Sequence, residues 1–66
     1  MEKIRIKELR EERGMSQAKL GEELGLNQRT VSEYERGNVE PSIQTIKKLC
    51  EIFDVSADYL LGIKDF

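Results

Sequence analysis

Histidine is absent from this 66-residue chain, and cysteine and proline each occur once. A single cysteine cannot form an intramolecular disulfide, so we expect Cys50 to be a small buried hydrophobe in a reducing compartment. Without histidine, a metal site or a catalytic set would have to consist of carboxylates and one thiol, and no spacing of these residues suggests either. We therefore expect no metal, no cofactor and no enzyme activity.

Long apolar runs are also missing. No segment approaches the roughly 20 apolar residues of a transmembrane helix, and no signal peptide opens the chain. Nothing alternates with period two, and there is no repeat, linker or low-complexity segment. The length fits a single domain over residues 1–66. We expect an all-α protein located in the cytoplasm.

The chain has a small net charge that is unevenly distributed. The formal net charge is −2. Residues 1–36 contain eight Lys/Arg and eight Asp/Glu, whereas residues 37–66 contain three and five. Bulk charge would not hold such a protein to nucleic acid. Any anion-binding surface must therefore be a local patch in the first half, with the acidic side chains turned elsewhere.

Apolar periodicity and capping residues predict five short helices. The predicted ranges are 3–12, 17–24, 28–35, 43–53 and 57–61. Ser16 and Asn27 suit the N-caps of the second and third helices. Pro41 and Ser42 precede the fourth helix. The apolar stripe of that helix consists of Ile43, Ile46, Leu49, Cys50 and Phe53.

The second and third predicted helices are joined only by Gly-Leu-Asn at 25–27. A connection this short forces a sharp angle between them, and Gly25 permits the left-handed conformation that the turn requires. Two short helices that meet steeply across a glycine turn form a helix-turn-helix. The polar face of the third predicted helix carries an amide, guanidiniums and hydroxyls instead of the Lys/Glu mixture found elsewhere in the chain.

Residues 16–62, SQAKLGEELGLNQRTVSEYERGNVEPSIQTIKKLCEIFDVSADYLLG, resemble the DNA-binding domain of phage repressor and Cro-type (XRE-like) helix-turn-helix regulators. Five motifs in this order carry the resemblance: Ser-Gln opening the second helix, glycine in the turn, Glu-x-Gly closing the third helix, Pro-Ser opening the fourth helix, and DYLLG at the end. It implies a lambda-repressor-like bundle of five helices. It also implies a sequence-specific double-stranded DNA-binding regulator, expected to be a repressor, whose third helix enters the major groove.

The resemblance also implies which side chains contact DNA. Gln pairs with adenine, Arg with guanine, and Ser or Thr with bases or phosphates. The expected base-reading residues are Gln28, Arg29, Thr30, Ser32 and Glu33. The expected phosphate ligands are Gln17, Lys19, Arg36, Asn38 and Arg10. Two other roles stay open for Glu33, which either holds Arg29 in position or repels phosphate.

Two positions bear on how the helices pack. In the family, the positions of Arg10 and Glu35 often carry an ion pair between helices one and three, and here we expect this pair to fix the angle between them. Gly21 stands where family members more often have alanine. Because glycine inside a helix costs about 1 kcal/mol relative to alanine, this glycine indicates either very close packing or a weaker second helix.

The apolar residues Val39, Ile63 and Phe66 fall outside the predicted core. We expect them to form the interface of a homodimer that binds an operator with two half-sites. The alternative is contact with an additional C-terminal domain or a protein partner. A second interpretation of the whole chain, suggested by its acidic C-terminal half, is a protein-interaction module. Such a module would be an antitoxin or an anti-repressor partner that does not itself bind DNA.

Overall fold

The computed structural model describes residues 4–65, in which five helices follow one another. In chain order these are α1 (Ile6–Glu12), α2 (Gln17–Leu24), α3 (Gln28–Arg36), α4 (Ile43–Phe53) and α5 (Ala57–Leu60). Over the described range there is no β-strand, and the predicted all-α fold is confirmed. α3 ends one residue later and α5 one residue earlier than predicted. α1 begins at Ile6 instead of residue 3, which lies outside the described residues.

Four of the helices begin with the same capping arrangement. The side chains of Ser16, Asn27, Ser42 and Ser56 each accept a hydrogen bond from the backbone N–H three residues later. Such caps satisfy N–H groups that have no partner within the helix, and each stabilises the fold by about 1 kcal/mol. The starts of α2 to α5 are therefore fixed by residues that lie next to them in the sequence.

All five helices contribute side chains to one apolar core. The buried apolar residues are Ile6, Leu9, Leu20, Leu24, Val31, Tyr34, Leu49, Phe53 and Leu60. Cys50 is half-buried against this core, and burial raises the pKa of its thiol. Ile43 was predicted to belong to the core stripe of α4, and this prediction is wrong, since its side chain is 74% exposed. It is the first residue of α4, where the helix extends beyond the edge of the core.

Two arginines beside the ends of α1 fasten that helix to the C-terminal half of the chain. Arg5 donates through Nε to the carbonyl oxygen of Tyr59 at 2.9 Å, and its guanidinium lies 4.6 Å from the centre of the Tyr59 ring. Arg13 donates to the carbonyl oxygen of Phe53 at the end of α4. A guanidinium at a helix C-terminus also interacts favourably with the helix dipole. Neither contact was predicted from the sequence.

The turn between α2 and α3 brings the two helices unusually close together. Gly25 ends α2 with φ 72°, the left-handed conformation that the sequence predicts there. The N–H of Leu26 then donates to the carbonyl oxygen of Gly21 at 2.7 Å. A Cβ on Gly21 would lie 2.8 Å from the carbonyl oxygen of Leu26. Of the two explanations for this glycine, the structure therefore favours very close packing.

Candidate nucleic-acid interface

One side of α3 and the start of α2 border a shallow groove of about 520 Å³. The residues that line it are Gln17, Gln28, Arg29, Ser32, Glu33 and Arg36. Residues four apart share one face of a helix. Gln28, Ser32 and Arg36 therefore form one row along α3, and Arg29 and Glu33 form the row beside it. The structure thus brings together four of the five residues expected to read bases and two of those expected to bind phosphate.

The remaining predicted ligands on α2 and α3 lie away from this groove. Thr30 is half-buried, and its hydroxyl donates to Oδ1 of the cap residue Asn27 at 2.8 Å. Lys19 lies on α2 with its Nζ 3.4 Å from Glu22 Oε1 and 3.6 Å from Glu23 Oε2. The hydrogen bond to Glu22 raises the pKa of Lys19. Neither side chain lines the groove that the other residues share.

An ion pair between α1 and α3 lies next to the groove, and both of its residues line the adjoining cleft. Arg10 Nε is 2.7 Å from Glu35 Oε2, and Arg10 Nη2 is 3.2 Å from Glu35 Oε1. The two side chains are only 11% and 4% exposed, respectively. Arg10 Nη1 donates to the carbonyl oxygen of Met15 at 2.8 Å. The hydrogen bond to Glu35 raises the pKa of Arg10, although desolvation of the guanidinium opposes the rise.

This arrangement shows the structural ion pair predicted for Arg10 and Glu35. All three nitrogens of its guanidinium already donate to groups inside the protein. Releasing them would leave Glu35 buried without its partner, which is costly. Arg10 therefore has a structural role, and because two of its five N–H groups have no partner within residues 4–65, its predicted phosphate contact stays a prediction.

A chain of hydrogen bonds leads from the buried ion pair to the edge of the groove. Gln17 Nε2 donates to Glu35 Oε1 at 3.1 Å. Gln17 Oε1 then accepts a hydrogen bond from Gln28 Nε2 at 3.5 Å. Because the carboxylate of Glu35 can only accept, it determines which end of the Gln17 amide faces Gln28. The first residue of α3 is therefore oriented indirectly by the ion pair.

Glu33 is engaged at the C-terminal end of α3. Its Oε1 lies 3.5 Å from Arg36 Nη1, and its Oε2 accepts from Asn38 Nδ2 at 3.2 Å. Arg29 is exposed and forms neither a hydrogen bond nor an ion pair with any residue in 4–65. The alternative in which Glu33 holds Arg29 is therefore wrong. The spacing of Glu33 and Arg36, three residues apart on one helix, is the sequence signal that indicates the observed pairing.

A larger cleft of about 660 Å³ adjoins the groove. It shares Gln17, Ser32 and Arg36 with the groove. Its other lining residues are Lys7, Glu8, Arg10 and Glu35. Lys7 was not among the predicted ligands. Its place three residues before Arg10 on the same helix is the signal that could have indicated this position.

Exposed apolar side chains occur among residues that do not line the groove. Val39 is 46% exposed and Ile63 is 67% exposed, so both lie outside the core as predicted. Ile43 joins them as a third exposed apolar residue. Phe66, the other residue predicted at a dimer interface, lies outside the described residues. Within residues 4–65, no helix has both the length and the apolar character needed to cross a membrane.

Five helices around one core, with α2 and α3 joined through a left-handed glycine, define a helix-turn-helix domain. Residues 6–60 match the helix-turn-helix family, and the chain belongs to this family. The resemblance to XRE-type regulators predicted from the sequence is confirmed by this match and by the relatives described next.

The similar proteins are regulators and a repressor. The chain is 40% identical over 58 residues to the HTH-type transcriptional regulator ImmR of Bacillus subtilis (strain 168), covering 88% of the chain and 46% of ImmR. It thus spans about half the length of that relative. It is 35% identical over 63 residues to the HTH-type transcriptional regulator YgzD of the same strain, covering 96% of each. The P22 c2 repressor, solved in complex with synthetic operator 9T in the presence of Tl⁺, matches with TM-score 0.83, 32% identity and 91% coverage of each chain.

Proposed function

We propose that the chain is a sequence-specific DNA-binding transcriptional regulator that acts as a repressor in the cytoplasm. The observation that carries this proposal is the groove along α3. Its lining brings two amides, two guanidiniums and a hydroxyl together with the carboxylate of Glu33, and all but Gln17 belong to α3. The structural likeness to the P22 c2 repressor, which was solved with an operator, supports the same conclusion. In this proposal α3 enters the major groove of double-stranded DNA.

Base readout is assigned to the N-terminal part of α3. Gln28 and Arg29 are exposed at the start of the helix, where α3 would penetrate deepest. A glutamine amide pairs with the N6 and N7 edge of adenine, and a guanidinium with O6 and N7 of guanine. Ser32 lies one turn later in the same row as Gln28 and would contact a base or a phosphate. Thr30 is the weakest member of the predicted set because its hydroxyl is engaged with Asn27.

Phosphate contacts are assigned to the two ends of the groove. Gln17 begins α2, and the first N–H groups of a helix lack acceptors inside the helix, so they suit an anion. Arg36 and Asn38 stand at the opposite end, where α3 would leave the groove. Lys19 is a further phosphate candidate that would have to leave its ion pairs with the glutamates of α2. These are local contacts, which is why a net charge of −2 does not preclude DNA binding.

Binding to an operator with two half-sites requires a homodimer on the DNA. Two recognition helices must lie about 34 Å apart to enter successive major grooves on one side of the duplex. The described chain has one α3 and extends 28 × 23 × 20 Å, which is shorter than this spacing. The second recognition helix must therefore come from a second copy. Val39 and Ile63 are exposed apolar residues available for the contact between the two protomers.

The test is a selection of bound sites from random duplexes, carried out with the wild type, Arg29→Ala and Arg36→Ala. Arg29→Ala should cost about 1–3 kcal/mol on the preferred site and relax the preference at one base pair in each half-site. Arg36→Ala should weaken binding to all sequences about equally and leave the selected sequence unchanged. The two variants are matched, because each removes one guanidinium from the same face of the same helix.

Salt dependence gives a second measurement. A dimer that neutralises about six phosphates should show log K falling by about five units per tenfold rise in salt.

The placement of α3 is wrong if, in the selection of bound sites, Arg29→Ala keeps the wild-type preference while Arg36→Ala changes it. A wild type that binds no duplex at low salt would instead favour the protein-interaction module.

A further inference from the structure

The carboxylate of Glu33 contacts the side chains of Arg36 and Asn38, which are proposed to bind a DNA phosphate at one end of the groove. Its Oε1 lies 3.5 Å from Arg36 Nη1, and its Oε2 accepts from Asn38 Nδ2 at 3.2 Å. The Glu33 side chain is 27% exposed, whereas that of Arg36 is 67% exposed. The backbone N–H of Asn38 also donates to the carbonyl oxygen of Glu33 at 3.0 Å, which keeps the two residues together.

A carboxylate and a phosphate compete for the same donors. Both are anionic oxygen acceptors, and both form strong charge-assisted hydrogen bonds with guanidinium and amide N–H groups. We propose that Glu33 acts as an internal competitor for the DNA phosphate at Arg36 and Asn38, and so weakens binding to every duplex by about the same factor. This inference depends on the proposed function, since it assumes that these two residues contact DNA.

The geometry favours competition over base reading for Glu33. Each of its carboxylate oxygens already faces one of the two partners. Accepting a hydrogen bond from cytosine N4 would require at least one of these contacts to be rearranged or shared. The position of Arg36 is also consistent with competition, because its mainly exposed guanidinium can turn from the carboxylate towards a phosphate without unfolding the helix.

The experiment compares Glu33→Gln with Glu12→Gln. The first substitution removes the charge of Glu33 and keeps nearly the same shape. The second removes the same charge from the exposed end of α1, in a different cleft from the groove. Dissociation constants are measured by fluorescence anisotropy at several salt concentrations, with the selected operator and with an unrelated duplex. Thermal unfolding of each variant checks that the fold is retained.

Glu33→Gln should bind both duplexes about two- to fivefold more tightly per protomer, a factor consistent with a partly exposed ion pair. The salt dependence should steepen by up to about 0.9 per protomer, because one more cation is free to neutralise a phosphate. Glu12→Gln should change neither quantity appreciably. In an Arg36→Ala background most of the gain from Glu33→Gln should disappear, because the guanidinium for which the carboxylate and the phosphate compete is absent.

Three results would overturn the inference while leaving DNA binding intact. A loss confined to the selected operator would identify Glu33 as a base contact. A gain that is unchanged in the Arg36→Ala background would indicate direct repulsion between Glu33 and DNA. Equal binding by Glu33→Gln and the wild type would show that the carboxylate does not compete. Failure of the wild type to bind either duplex would instead refute the proposed function itself.

Discussion

Replacing Gly21 with alanine tests how closely α2 and α3 approach each other. The added Cβ would lie 2.8 Å from the carbonyl oxygen of Leu26 and 3.2 Å from the carbonyl carbon of Asn27. Both are backbone atoms, so neither can rotate away as the end of a side chain could. The turn between the helices must therefore shift by a few tenths of an ångström to admit the methyl group.

Two opposing effects decide the stability of Gly21→Ala. Alanine is favoured over glycine inside a helix by about 1 kcal/mol. Forcing extra volume into a well-packed region costs about 1–3 kcal/mol. Because the contact is with the backbone, we expect the packing effect to exceed the propensity effect. The expected result is a net loss of about 1 kcal/mol, which for a domain of this size lowers Tm by about 4–8 °C.

The assay is unfolding by urea, monitored through the circular-dichroism signal of the helices. Ala18→Gly is the matched control. Ala18 is exposed on the same helix, so its substitution measures helix propensity without the close contact. Ala18→Gly should lose up to about 1 kcal/mol, the value for a helix interior, because Ala18 lies in the first turn of α2. The reasoning fails if Gly21→Ala gains about as much stability as Ala18→Gly loses, since propensity alone would then explain the glycine.

Three further predictions concern other contacts. In a double-mutant cycle, Arg10→Met and Glu35→Gln should show a coupling energy above the roughly 0.2–1 kcal/mol of exposed pairs, and strict additivity would show that the two groups do not interact. Arg13→Met should lower the unfolding free energy by about 1 kcal/mol through the lost contact at the end of α4, whereas Lys47→Met on the exposed side of that helix should change it little, as thermal denaturation will measure. Sedimentation should find two protomers on each palindromic site and a weaker complex for Val39→Asp, and a saturated complex with one protomer would contradict the dimer.

The helices could be predicted from the sequence because their signals are local. Ser16 and Asn27 lie beside the helices they cap, and Gly25 lies at the end of α2 that it terminates. The apolar periodicity that predicted Leu49 and Phe53 on one face of α4, both of them in the core, also needs only a few neighbouring residues. Ile43 shows the limit of such patterns. Periodicity indicates which face of a helix is apolar, but not where along the helix the core ends.

Contacts between residues far apart in the sequence could not be predicted from such local patterns. The pairing of Arg10 with Glu35 was expected only through the family resemblance, because 25 positions separate the two residues in the sequence. The contacts of Arg5 and Arg13 were not predicted, because both arginines bind backbone carbonyl groups. Every residue has such a group, so residue type does not indicate which one an arginine will bind. The assignment of Glu33 to base contact came from the chemistry of its side chain, whereas its partners within the protein, Arg36 and Asn38, depend on how the chain turns after α3.

The three arginines in and beside α1 have a consequence for the motions of the native protein. Arg5 binds the backbone of α5, Arg10 the side chain of α3, and Arg13 the end of α4. α1 therefore cannot detach alone without breaking polar contacts to three other helices at once. Short terminal helices commonly open by local fluctuations at little free-energy cost. Here the slowest amide protons of α1 should exchange with solvent deuterium only through opening of the whole bundle, with the same opening free energy as those in the middle of α4.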